Sequence, residues 1–197
     1  MNTNRDTIVL ASASPRRREL LGQIGVSYEL LPVEVDENLR PGETATDFVC
    51  RVADDKAATA GNRTNKGRCV LAADTIVVID GKILGKPSDQ NEALDMLSLL
   101  SGRTHRVLTA ITIRRDEQVS SALNESTVRF REIDAAERDA YWLSGEPADK
   151  AGAYAIQGLG TVFIEHLNGS YSGVMGLPLY ETAALLKEFG IQALDSA

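Results

Sequence analysis

One near-continuous apolar run, Cys69–Ile79, constrains the fold of this chain more than any other stretch. A strand that is apolar at almost every position is typical of the centre of a sheet, covered on both faces. Helical patterns lie before and after this run, at Asp47–Ala60 and from a Ser88 cap through Leu100. Strands that alternate with helices and hairpins predict an α/β fold around a mixed sheet.

A single acidic residue, Asp74, interrupts this apolar run. A carboxylate inside a buried strand is costly unless it is paired, bound to a metal or exposed to a cavity. Ionisable groups in such surroundings cluster at functional sites. We therefore favour a functional role for Asp74 over a purely structural one.

The start of the chain predicts an anion site at a helix N-terminus. A short strand leads into a serine-rich turn with Ser12, and a helix begins at Ser14, with Pro15 in its first position. Arg16–Arg18 then place positive charge at the positive end of the helix dipole, where acidic residues are usual. Hydroxyls, guanidinium groups and backbone N–H groups together suit phosphates. The alternative is that these arginine side chains extend into solvent. We expect this for Arg18 rather than for all three arginines together.

An acidic loop follows the second predicted strand, Val26–Val33. Glu34, Asp36 and Glu37 place three carboxylates in four residues. Such a loop is usually solvated surface. Here it lies near the C-terminal end of a strand, where ligand sites of α/β proteins gather. We therefore expect one of these carboxylates to serve a metal.

Two lysines are candidates for a role in the same site. Lys56 lies on the apolar stripe of the predicted helix Asp47–Ala60, so it either extends past the core to solvent or points into a site. The spacing leaves both interpretations open. Lys86 follows a predicted hairpin with its turn at Asp80-Gly81, which places a second cation just past that hairpin.

Composition and charge exclude several classes of protein. The chain of 197 residues has a net charge of −7, which argues against a sequence-independent nucleic-acid binder. No stretch approaches the length of a membrane span, and the short apolar run before the arginines predicts no signal peptide. Cys50 and Cys69 form neither a metal spacing nor a disulfide framework, which indicates a reducing, cytoplasmic location. We expect a single domain over residues 1–197.

Several short motifs, in order along nearly the whole chain, resemble those of the Maf family. They are Ser12-Ala13-Ser14-Pro15-Arg16-Arg17, Val35-Asp36-Glu37, Ala73-Asp74-Thr75, Gly85-Lys86-Pro87, Lys150-Ala151-Gly152 through Gln157-Gly158, and Val174-Met175-Gly176-Leu177-Pro178. The resemblance implies an elongated mixed β-sheet flanked by helices, with a cleft between two lobes, as in the inosine triphosphate pyrophosphatases. It also implies a nucleoside triphosphate pyrophosphatase that uses Mg²⁺ or Mn²⁺, and it suggests a homodimer.

Three positions distinguish branches of that family. The branch that acts on dTTP and UTP carries the residues found here as Arg16, Thr75 and Gln157. The branch that acts on 7-methyl-GTP differs at all three, with an aromatic residue in place of the arginine. A glutamine side chain offers an acceptor and donors, which suit O4 and N3–H of thymine or uracil. The resemblance therefore implies hydrolysis of dTTP and UTP.

The resemblance also implies a role for each candidate residue. Asp74 would be the general base, and Glu37, with Asp74, would bind the metal. The predicted substrate-binding residues are Ser12, Ser14, Arg16, Arg17, Lys56, Thr75, Lys86 and Gln157. Two alternatives stay open, a pyrophosphatase with another base preference and a non-catalytic nucleotide-binding regulator of septum formation. The biological purpose, cleansing of nucleotide pools or control of division, is also open.

Overall fold

Helices flank a mixed sheet of seven strands in the computed structural model, which describes residues 7–194. The strands are β1 (Ile8–Leu10), β2 (Tyr28–Leu30), β3 (Val70–Ile79), β4 (Lys82–Leu84), β5 (Thr104–Arg115), β6 (Gln118–Phe130) and β7 (Ile164–Asn168). The helices are α1 (Pro15–Gln23), α2 (Ala45–Gly61), α3 (Gln90–Leu100), α4 (Ala135–Leu143), α5 (Tyr171–Met175) and α6 (Leu179–Glu188). The prediction of an α/β fold around a mixed sheet is confirmed.

The strand order is β2-β1-β3-β5-β6-β7, and β4 pairs with β3 outside this path. β1 runs parallel to both of its neighbours, β2 and β3, whereas β4 is antiparallel to β3 and β7 is antiparallel to β6. β3 is buried along its length except at Thr75, which is half-buried. The apolar run thus forms the covered inner strand that its composition predicts.

The chain forms two compact units. The first unit comprises Met1–Asp74, Thr109–Asn124 and Gly176–Ala197, and the second comprises Thr75–Leu108 and Glu125–Met175. The predicted single domain over residues 1–197 also includes both chain ends, 1–6 and 195–197, which lie outside the described residues. That domain and the cleft between two lobes stay predictions.

Each unit has its own apolar core. In the first, the predicted stripe of α2 is buried throughout, at Phe48, Val49, Val52, Ala53, Ala57 and Ala60. In the second, α3 and the end of β6 pack with the segment around Tyr154 and Phe163. Within residues 7–194, no helix combines the length and the apolar character that a membrane crossing needs.

Two local predictions are wrong. Ser88 does not cap α3; the N-cap is Asp89, whose side chain accepts from the Glu92 N–H, while Ser88 donates to the Glu92 carboxylate. Aspartate caps a helix as well as serine does, so composition could not separate the two positions. The strand predicted over Val26–Val33 is shorter and covers Tyr28–Leu30.

Candidate active site

The turn between β1 and α1 draws its polar side chains together in the first unit. Buried Ser12 accepts hydrogen bonds at Oγ from the Ser14 N–H (3.2 Å) and from Arg17 Nη1 (3.3 Å). Arg17 Nε also donates to the Gly176 carbonyl at 2.7 Å. Ser14 lies at the N-cap of α1, as predicted, but its side chain makes no capping hydrogen bond. The turn is thus held by Arg17 and Ser12 rather than by a helix cap.

Arg17 lies within electrostatic reach of two predicted carboxylates, Asp74 and Glu37. Burial lowers the pKa of Arg17. The negative charges of Asp74 and Glu37 oppose this shift, whereas the positive charge of Arg16 adds to it. Arg16 is half-buried, so it does not simply extend into solvent. The fold therefore gathers Arg16, Arg17, Glu37 and Asp74, which lie far apart in the sequence, in one region of the first unit.

Lys56 joins the two predicted metal ligands. Its Nζ lies 2.7 Å from Glu37 Oε1 and 2.8 Å from Asp74 Oδ1. The side chains of Lys56 and Asp74 are each 12% exposed, whereas that of Glu37 is 55% exposed. The structure resolves the question that helical spacing left open, because Lys56 points into the carboxylate cluster. The Lys56 ammonium also supplies the partner that a carboxylate in a buried strand requires.

Arg51 holds the loop that carries Glu37, and sequence reasoning missed it. Nη1 of Arg51 donates to the Asp36 carbonyl at 3.1 Å, and Nη2 donates to the Asn38 carbonyl at 3.0 Å, one bond on each side of Glu37. Nε donates to Glu43 at 2.6 Å, and this bond lowers the Glu43 pKa to about 2. A charged residue on an amphipathic helix is normally solvated, so no local pattern pointed to Arg51.

Glu37 and Asp74 form a donor set that fits a hard divalent cation. Mg²⁺ is usually held by one or two carboxylates together with waters and substrate phosphates. The two carboxylates converge on one positively charged group, the Lys56 ammonium. Among residues 7–194, no group of three His, Cys, Asp or Glu side chains is arranged to hold a metal ion. Glu37 and Asp74 are the two carboxylates that could share a Mg²⁺ or Mn²⁺ ion with waters and substrate phosphates.

The second unit carries the other predicted substrate contacts. The Gly152 N–H donates to the Gly85 carbonyl at 3.0 Å, which joins the loop of Lys86 to the segment that leads to Gln157. Gly152 has a φ of +69°, and a Cβ there would lie 2.9 Å from Val77, so glycine is required. Lys86 and Gln157 are exposed, and Thr75 directly follows Asp74 on β3.

Comparison with known proteins decides the family. Residues 7–189 match the family described as Maf-like protein. The chain belongs to the Maf family. This confirms the resemblance drawn from the short motifs, which are distributed over the same range.

Several known proteins match this chain over nearly their full length. The chain is 57% identical over 184 residues to a dTTP/UTP pyrophosphatase of Methylococcus capsulatus, covering 93% of this chain and 91% of that protein. It is 52% identical over 193 residues to a dTTP/UTP pyrophosphatase of Alkalilimnicola ehrlichii, covering 95% of each. Among solved structures, the Staphylococcus aureus Ham1 protein aligns with a TM-score of 0.44 and 17% identity, over 63% of this chain and 71% of that one.

Proposed function

We propose that this Maf-family protein hydrolyses dTTP and UTP to the nucleoside monophosphate and pyrophosphate. The observation that carries the proposal is the buried Asp74, paired with Lys56 beside Glu37 and Arg17. A base, a metal-binding carboxylate and several cations are the groups that phosphoryl transfer needs. The relatives named dTTP/UTP pyrophosphatase support the choice of substrate, as do Arg16, Thr75 and Gln157.

Asp74 is proposed as the general base. Its carboxylate would orient a water molecule and accept its proton as the water oxygen attacks the α-phosphorus in line with the leaving pyrophosphate. The hydrogen bond from Lys56 to Oδ1 fixes the orientation of the carboxylate. Glu37 and Asp74 would together hold Mg²⁺ or Mn²⁺, which when bound stabilises the charge that develops on the phosphoryl oxygens.

The triphosphate would be held by the turn before α1 and by lysines. Backbone N–H groups at a helix N-terminus attract phosphate, and guanidinium groups bind its oxygens in pairs. The residues proposed for this role are Ser12, Ser14, Arg16, Arg17, Lys56 and Lys86. Thr75 and Gln157 would contact the nucleoside, with the Gln157 amide matching O4 and N3–H of the base.

We further propose that the protein acts on free nucleotides in the cytoplasm. The net charge of −7 disfavours a nucleic-acid partner. Cys50 and Cys69 are free thiols, which suits a reducing compartment. A homodimer is proposed from the family resemblance, and light scattering of the purified protein would test it.

Pyrophosphate release from a panel of nucleoside triphosphates tests the proposed reaction. The panel contains dTTP, UTP, CTP, GTP and 7-methyl-GTP, each assayed with Mg²⁺ and with Mn²⁺. We expect dTTP and UTP to have the highest kcat/KM. Faster turnover of 7-methyl-GTP would overturn the assigned base preference. Tight binding of dTTP without pyrophosphate release would instead indicate a nucleotide-binding regulator.

A further inference from the structure

In the second unit, side chains form hydrogen bonds with the backbone on both sides of Gln157. We call residues 154–160 the Gln157 loop. Tyr154, Ala155 and Ile156 are buried before Gln157, and Gly160 is buried after it, whereas Gln157 itself is exposed. Gly158 is half-buried and Leu159 is 58% exposed, so Gln157 and Leu159 are the exposed residues of the loop.

The carboxylate of Glu146 accepts hydrogen bonds from the backbone that follows Gln157. Its Oε2 accepts from the Leu159 N–H at 2.8 Å, and its Oε1 accepts from the Gly160 N–H at 3.0 Å. Oε1 also accepts from the Tyr141 hydroxyl at 2.6 Å. Burial opposes ionisation of Glu146, but these hydrogen bonds lower its pKa overall, so the carboxylate stays charged.

Tyr141 holds the backbone that precedes Gln157. Its hydroxyl oxygen accepts a hydrogen bond from the Ala155 N–H at 3.1 Å, and its O–H donates a hydrogen bond to Glu146. Its ring is buried and packs edge-on against Phe163, with centroids 5.1 Å apart. Tyr141 and Glu146 therefore hold the Gln157 loop on both sides of the exposed glutamine.

Gly158 completes the fit between Glu146 and the loop. A Cβ at Gly158 would overlap Oε2 and Cδ of Glu146. No side chain can occupy that place while the carboxylate is there. The glycine next to Gln157 is thus explained by the close approach of Glu146 rather than by backbone dihedral angles.

We infer that Glu146 and Tyr141 are positioning residues, which fix the Gln157 loop so that the Gln157 amide meets the pyrimidine base in one orientation. This inference rests on the proposed function, because it assumes that Gln157 contacts the base. A side chain that reads a base by hydrogen bonds must be held within a fraction of an ångström, and an exposed glutamine has no packing of its own to hold it. The Tyr141 and Glu146 hydrogen bonds supply that restraint through the backbone.

The test is a double-mutant cycle with Glu146→Gln and Gln157→Ala, assayed with dTTP and dCTP. The amide introduced by Glu146→Gln has nearly the same shape as the carboxylate, but its NH₂ group cannot accept from backbone N–H groups. We expect Glu146→Gln to raise the KM for dTTP about tenfold, to change kcat little, and to reduce the preference for dTTP over dCTP. We expect no further loss when Gln157→Ala is already present, since both changes act through one side chain.

Amide hydrogen exchange tests the structural part of the inference without substrate. We expect the Leu159 and Gly160 amides to exchange at least about tenfold faster in Glu146→Gln than in the wild type. Unchanged exchange would overturn the inference even if dTTP is a good substrate, whereas faster exchange in a protein that does not turn over dTTP would overturn the proposed function and the base-reading role together.

Two further variants guard against a trivial result. Glu125→Gln removes an equal charge from a surface pair with Arg106 in the same unit, and we expect wild-type selectivity. Tyr141→Phe removes the hydrogen bonds on the other side of Gln157 and should reproduce the loss of selectivity if Glu146→Gln does not fold. Losses from Glu146→Gln and Gln157→Ala that simply multiply would show that Glu146 acts independently of Gln157.

Discussion

Nζ of Lys56 lies 2.8 Å from Oδ1 of Asp74, and each side chain is 12% exposed. The same ammonium lies 2.7 Å from Glu37 on the loop after β2. One cation therefore joins a carboxylate from an inner strand to a carboxylate from a loop. Breaking such a buried pair at either end leaves a charge without its partner, so the variants below should have large effects.

Asp74→Asn should lower kcat for dTTP by about a hundredfold or more, because an amide cannot accept the proton of the attacking water. The measurement is pyrophosphate release at saturating dTTP. Asp80→Asn is the matched control. Asp80 lies in the exposed turn between β3 and β4 and forms a salt bridge with Arg103. Asparagine tolerates the φ of 51° at this position. Near-full turnover by Asp74→Asn would remove Asp74 from the role of base.

Lys56→Met should lower the free energy of unfolding by about 3 kcal/mol, since Asp74 loses a buried partner. If Glu37 and Asp74 hold a divalent cation, Mn²⁺ should raise the melting temperature of this variant more than that of the wild type. Lys187→Met, at an exposed position of α6, is the control. An equal Mn²⁺ effect on all three proteins would argue against a metal at these carboxylates.

Arg51→Lys should increase the Mn²⁺ concentration needed for half-maximal activity by several-fold. A single ammonium cannot reproduce the separate bonds to the carbonyls on both sides of Glu37. Titration of activity with Mn²⁺ at saturating dTTP measures the change. We expect Arg63→Lys, at an exposed position just after α2, to leave the titration unchanged. A wild-type titration for Arg51→Lys would show that the loop holds Glu37 without it.

Arg17→Lys should raise the KM for dTTP about tenfold and reduce stability by about 1 kcal/mol. Arg17 contacts the Gly176 carbonyl and Ser12 through different nitrogens, which one ammonium cannot do in the same geometry. Steady-state kinetics and urea unfolding measure the two effects. Arg18→Lys changes the neighbouring arginine in the same way, and an equal effect there would contradict a specific role for Arg17.

His105 should make the fold sensitive to acid. Burial lowers its pKa from 6.5 to about 4, and Nε2 lies 2.9 Å from the Tyr154 hydroxyl. Because the unfolded chain binds a proton at higher pH than the folded one, stability should fall as pH decreases from 6.5 to about 4. The loss from this group is about 3 kcal/mol.

Urea unfolding between pH 7 and pH 4 tests this behaviour. We expect His105→Gln to be less stable than the wild type at pH 7 but to have a flatter dependence on pH. His166→Gln, which removes the exposed histidine on β7, is the matched control. Identical slopes for the wild type and His105→Gln would contradict a buried neutral histidine.

Local patterns sufficed for the parts of the site that lie on regular elements. The apolar run predicts β3 and singles out Asp74, since one carboxylate among buried residues stands out without any knowledge of its neighbours. The helical period predicts the buried face of α2, and the serine-proline-arginine turn predicts the start of α1. These features depend on residues only a few positions apart.

Features that depend on distant partners could not be read in the same way. Glu146 and Arg51 appear as ordinary charged residues, although each hydrogen-bonds the backbone beside a predicted site residue. Their acceptors and donors lie 13 to 15 positions away, across loops without a regular period. The spacing of side chains therefore carries no trace of these contacts.

The sequence by itself determined the α/β class, the Maf family and the set of residues that could carry the chemistry, because periodicity, burial cost and short motifs are properties of neighbouring positions. The tertiary structure alone decided that Lys56 points to Asp74 and Glu37 rather than to solvent, and that Tyr141 and Glu146 hold the loop of Gln157. A charged side chain on a helix or loop is either hydrated or paired with another polar group. Which of the two occurs depends on whether the tertiary structure brings a partner within hydrogen-bond distance.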